Sequence, residues 1–88
     1  MRPHLHRYLS LCDSDTVKVT LQGKAYVMLM DDDNYGFFTQ DADFDYYGQL
    51  VKRSPCRLRA PFPGHWHLVI EQADPAGEVM AHVQIVNQ

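Results

Sequence analysis

The chain has 88 residues, a net charge of −3 and an apolar fraction of 45%. That length makes one domain near the lower end of what builds its own core, burying about 60–65% of the surface its unfolded form exposes and leaving little for a deep catalytic cleft. The acidic balance disfavours nucleic acid as a general partner, since that relies on Lys and Arg to neutralise phosphates, and the composition excludes a disordered tail.

The opening Met1-Arg2-Pro3-His4-Leu5-His6-Arg7 carries charge without an apolar run behind it, so no signal peptide is expected. No stretch approaches the roughly 20 apolar residues of a membrane span. The expectation is a cytoplasmic protein with Cys12 and Cys56 reduced. Their separation suits neither a CxxC redox pair nor a zinc knuckle.

His4 to Leu9 is a candidate opening strand, ended by the turn-prone Cys12-Asp13-Ser14-Asp15. In Thr16-Val17-Lys18-Val19-Thr20-Leu21 the alternation puts Val17, Val19 and Leu21 inward and Lys18 and Thr20 outward. Gln22-Gly23-Lys24 turns the chain. Ala25-Tyr26-Val27-Met28-Leu29-Met30 is apolar on both faces, as a strand covered on both sides must be. Asp31 to Asp45 reads as a long irregular connection rich in Asp. Tyr46 to Lys52 resumes a strand, with Gly48 as a bulge or close-approach point. Ser54-Pro55 breaks it, and Cys56 to Ala60 is another short strand.

Pro61-Phe62-Pro63-Gly64 and Asp74-Pro75-Ala76-Gly77 are turn signals on either side of the alternating run His65 to Glu71, and Glu78 to Val86 alternates again. The stretch predicts a β-hairpin with Trp66, Leu68 and Ile70 on one face and His65, His67, Val69 and Glu71 on the other. Trp66 is expected to anchor a core with Val17, Val19, Leu68, Ile70, Val83 and Ile85. The last strand lacks Pro or Lys and is apolar on both faces, so it is expected at the centre of a sheet or, failing that, in a homodimer interface. Taken together, the elements predict a single all-β domain over residues 1–88, a small antiparallel sandwich or partly open barrel of six to eight strands.

Asp33-Asn34-Tyr35, Tyr46-Tyr47-Gly48 and Pro63-Gly64-His65-Trp66-His67-Leu68-Val69-Ile70-Glu71, with His4 to Leu9 and Val17-Lys18-Val19, resemble the bacterial domain-of-unknown-function family 1883 over nearly the whole chain and in the right order. Gln49 and Gln72-Ala73 stand where that family usually has glycine pairs. The resemblance implies a compact sandwich-like domain, alone or attached to other bacterial domains, and transfers no catalytic residue.

Three constellations could carry chemistry. In the predicted hairpin His67 faces His82, and opposed strand residues have Cβ atoms about 4.5–5.5 Å apart, close enough to share a metal. His65-x-His67-x-x-x-Glu71 is also similar to the first metal motif of cupins. The alternative function is therefore a minimal cupin-like metal-binding protein or enzyme using His65, His67, His82 and Glu71, but Glu71 lies about 13 Å along the strand from His67. Solvent-facing or interface histidines are the reading taken. Six of the nine Asp fall between Asp31 and Asp45, yet the EF-hand template fails at Tyr35 and Ala42, which leaves a solvated turn region. Lys52, Arg53, Arg57 and Arg59 make up half of the eight cations and suit an outward strand face.

No serine has the setting of a nucleophile elbow, and nothing resembles a phosphate loop. The expectation is a non-catalytic interaction or ligand-binding module without a cofactor. Its partner would be a protein, a small ligand or a second copy in a homodimer. Contacts are expected at Tyr35, Phe37, Phe38, Tyr46 and Tyr47, with Arg57 and Arg59.

Overall fold

The computed structural model describes residues 4–73 and 80–87. In chain order these form β1 (Leu5–Leu11), β2 (Asp15–Gln22), β3 (Ala25–Met30), α1 (Asp32–Thr39), β4 (Tyr47–Val51), β5 (Cys56–Leu58), β6 (Gly64–Gln72) and β7 (Met80–Asn87). The strands make two antiparallel sheets, ordered β1-β6-β3-β4 and β5-β2-β7, packed as a β-sandwich. Every connection crosses from one sheet to the other except β3–α1–β4, which returns to its own sheet.

Alternation along the strands builds the core. Val17, Val19 and Leu21 of β2 face Val27 and Leu29 of β3 and Trp66, Leu68 and Ile70 of β6, all buried. Trp66 is 1% exposed, and its indole N–H donates to the Phe62 carbonyl at 3.1 Å, so the large ring enters the core with its polar atom satisfied. The opposite face of β3 is covered too. Met28 and Met30 are buried with Val69 against Phe38 of α1. This is why β3 reads as apolar on both faces and lies inside the four-stranded sheet.

Three expectations are corrected. First, β6 and β7 form no hairpin: β6 lies between β1 and β3, whereas β7 pairs with β2 in the other sheet. Tight hairpins use connections of two to five residues. Gln72 and Met80 are further apart in sequence than that, and β6 and β7 stand in sheets that pack roughly 10 Å apart. The proposed turn Asp74 to Gly77 lies outside the described residues. Second, β7 is an edge strand, not a central one. Ile85 opposite Val17 therefore projects at the flank and is 44% exposed, outside the core in which it was expected, while Val83 is partly buried.

Third, part of the Asp-rich connection is the helix α1. Its sequence Asp-Asp-Asn-Tyr-Gly-Phe-Phe-Thr has poor helix propensity and is too short to hold alone in water. Two things stabilise it. Asp31 is the N-cap, its Oδ1 accepting from the Asn34 backbone N–H at 2.8 Å and the Asn34 Nδ2 at 2.9 Å, with Asp32 and Asp33 in the first turn opposing the positive end of the helix dipole. Tertiary packing of Phe38 on the sheet supplies the rest. Asp31 thus acts as a helix cap where a solvated turn region was expected. Gly48 is a close-approach point as expected: its φ is 151°, and a Cβ there would stand 2.0 Å from the Val27 carbonyl oxygen of β3.

Candidate functional site

Pairing of β1 with β6 decides what stands on the outer face of the four-stranded sheet. Leu68, Trp66 and Ile70 face the core, so their partners Arg7, Leu9 and Leu5 turn toward the inter-sheet side. His6, Tyr8 and Ser10 then point outward beside Val69, His67 and His65. Onto this face α1 lays Asp32, Tyr35 and Phe38.

The result is a histidine–aromatic cluster. Asp32 Oδ1 lies 2.6 Å from His67 Nε2, and His67 Nδ1 lies 2.8 Å from His6 Nε2. Because a carboxylate only accepts, His67 donates through Nε2–H. His67 Nδ1 and His6 Nε2 share a single proton in the second bond. Tyr35 covers both imidazoles, stacked 4.4 Å from His67 at 4° and 4.2 Å from His6 at 11°. The Tyr35 hydroxyl meets His4 Nε2 at 3.3 Å, and His4 stands edge-on to Phe38 at 4.9 Å. Tyr8 stacks on His65 at 5.4 Å and leans on His67 at 4.7 Å.

The electrostatics follow from this packing. The His6 pKa is held below the ordinary histidine range, first by partial burial, then by the neighbouring His67 and His4. His6 is therefore neutral at neutral pH. Both ring nitrogens of His67 are engaged, and its side chain is only 12% exposed, so it braces α1 against the sheet.

The other sequence candidates lie in different places. His82 sits opposite Thr20 on the three-stranded sheet, and Glu71 sits opposite Tyr26 beyond Val69, so His65, His67, His82 and Glu71 do not converge. The pairing of His67 with His82 is lost with the hairpin that implied it. Among the described residues no group of three or more His, Cys, Asp or Glu stands where it could hold a metal ion. Cys12 is exposed and Cys56 buried, neither in a disulfide, and burial pushes the Cys56 thiol pKa up.

Tyr35 belongs to the cluster, but Arg57 and Arg59 lie on the other sheet side, Arg57 opposite Lys18 and Arg59 donating to the Asp13 carbonyl. Lys52, Arg53 and Arg57 rim a shallow depression over Cys56. Phe37 is exposed on α1. Tyr46 leans on Phe44 at 5.8 Å, and Phe44 on Phe38 at 5.2 Å. Tyr47 and Phe62 flank the Trp66 indole at 5.8 and 4.9 Å.

His4, His6 and Asp32 were absent from the sequence-level candidates. A signal existed: His4-x-His6 and His65-x-His67 have the same two-residue spacing, which keeps each pair on one strand face. Only the β1–β6 register brings the two pairs together. Asn34 gains a reason as well. Its Oδ1 accepts from the Asp45 backbone N–H at 2.8 Å, tying the start of the helix to the chain that leaves it.

No helix among the described residues is long and apolar enough to cross a membrane. No curated protein and no solved structure matches this chain. The elements carrying the histidines, the Asp33-Asn34-Tyr35 run and the Trp66 strand all fall within residues 3–88, which match the family model described as Domain of unknown function (DUF1883), and the chain belongs to that family.

Proposed function

We propose that this domain is a non-catalytic interaction or ligand-binding module whose contact surface is the end of the four-stranded sheet where α1 lies. The observation that carries this is the bracing of its half-exposed rings. Tyr47 and Phe62, 52% and 54% exposed, both lean on the buried Trp66; Tyr46 leans on Phe44 and Tyr8 on His65. Rings already held by neighbours lose little conformational freedom when a partner covers them, which favours binding. A single exposed aromatic means little, but Tyr47 and Phe62 share one buried ring on the core side of this sheet end, and Tyr8 stands on its outer face.

The histidine cluster supports the non-catalytic side of this reading. Asp32, His6 and Tyr35 occupy the edges and a face of His67, so that residue is committed to holding α1. The chemistry offered outward is apolar and aromatic with hydroxyl tips, suited to a protein surface or a flat organic ligand.

The test is a fragment titration followed by amide correlation spectra of the full chain. Aromatic fragments at millimolar concentration should shift Tyr46, Tyr47, Phe62 and Tyr8 and change Trp66 emission. Tyr47→Ala with Phe62→Ala should abolish both effects. Shifts confined to the three-stranded sheet, or unaffected by the double substitution, would sink the proposal.

A further inference from the structure

An open sandwich has four sheet edges, each a row of backbone N–H and C=O groups without a neighbouring strand. Among the described residues these edges are β1, β4, β5 and β7. Three of them are guarded. β1 carries Arg7; β5 is three residues long with Arg57 inside it and Arg59 just beyond; β4 holds Gly48 at φ 151° and runs into Lys52 and Arg53. The residues of β7 itself supply no such device. Its 8 residues include no Pro, Gly, Lys, Arg, Asp or Glu. At about 3.3 Å per residue the edge is roughly 26 Å long.

The flank beside it is apolar. Met80 is 64% exposed, Ile85 and Val86 are exposed, and Leu5 of β1 is exposed across the gap from Ala81 and Val83. Arg7 is the one charged side chain lining that gap.

We propose that β7 is a dimerisation edge, pairing antiparallel with β7 of a second copy so that the three-stranded sheet is doubled. The strand's own chemistry selects this occupant. Keeping both sandwiches on the same side of the joined sheet requires residues of like facing to meet. Of the registers that do so, the two with greatest overlap are self-compatible. One sets Val83 against Val83, Ala81 against Ile85 and His82 against Gln84. The other sets Gln84 against Gln84, Val83 against Ile85 and His82 against Val86. Neither opposes two charges, and both give Ile85 an apolar neighbour. A strongly acidic or basic partner strand would find no matching charge along β7.

Sedimentation equilibrium of the full chain, from micromolar to near-millimolar concentration, tests the proposal. The wild type should reach twice the chain mass. Ile85→Lys, which drives a charge into the joined inner face, should sediment as a single chain with Trp66 emission unchanged. Leu50→Lys on β4 should leave the doubled mass intact. Hydrogen exchange across Val83 to Val86 should slow with concentration in the wild type, a readout that stands even if Ile85→Lys fails to fold. A single-chain wild type with concentration-independent exchange would overturn the proposal, as would a doubled mass that survives Ile85→Lys or vanishes in Leu50→Lys. Protection of β7 that arises only when another protein is added would assign the edge to that protein and overturn it too.

Discussion

The Tyr35 and His67 rings lie 4.4 Å apart and 4° from parallel, which joins the helix α1 to the central strand β6 through a stacked pair. The same tyrosine covers His6, so one side chain spans the hydrogen-bonded imidazoles of two strands. The helix is otherwise tied down by Phe38 and the Asp32–His67 contact. Tyr35→Ala should therefore cost about 2 kcal/mol, below the full price of a buried aromatic because the residue is partly exposed. Tyr35→Phe keeps the stack and loses only the contact with His4, and should cost less than about 1 kcal/mol. Urea midpoints at unchanged m-value give both numbers.

Acid should weaken the fold through His6. Its folded-state pKa lies below the unfolded value of about 6.5, so the unfolded chain takes up the proton first. Stability is then fully present above the unfolded value, falls as pH drops through about 6.5, and stops falling from this source once pH is below the folded pKa. His6→Gln should flatten the pH dependence of the urea midpoint across that window. A midpoint curve identical to wild type between pH 7 and 5 would remove His6 as the cause.

Trp66 carries the largest single share of the core. With its ring 1% exposed, Trp66→Ala should cost about 3–5 kcal/mol, a large fraction of what a domain this small possesses. Native indole emission should be that of a buried ring and shift to the exposed value on unfolding. Exposed-type emission in the native protein would mean the sheet faces are reversed.

Gly48 tests the β3–β4 pairing. Any Cβ there meets the Val27 carbonyl, and the φ of 151° disfavours every L side chain. Gly48→Ala should cost roughly 2–3 kcal/mol from backbone strain alone, with hydrogen exchange rising first at Tyr47 to Val51. Gly64→Ala is the comparison. Its φ of 146° is also unfavourable, but nothing lies within 4 Å of the added carbon, so it should cost less.

What the sequence by itself determined is the facing of side chains. Period-two alternation is local, and it placed Val17, Val19, Leu21, Trp66, Leu68 and Ile70 inside, and His65 and His67 outside. The double apolar face of β3 announced a covered strand, although not that a helix covers it. Family membership was legible as well, because its motifs are contiguous runs.

Only the tertiary structure decided which strands are neighbours. An in/out pattern is the same whether β6 turns back on β7 or hands the chain to the other sheet, so the hairpin, the central place for β7 and the His67–His82 pair were all consistent with the residues. The helix was hidden for a related reason: its stability comes from Tyr35 and Phe38 resting on β3 and β6, not from its own propensities. The histidine cluster needs β1, β6 and α1 at once, which lie far apart along the chain and meet through long-range pairing that no local period encodes.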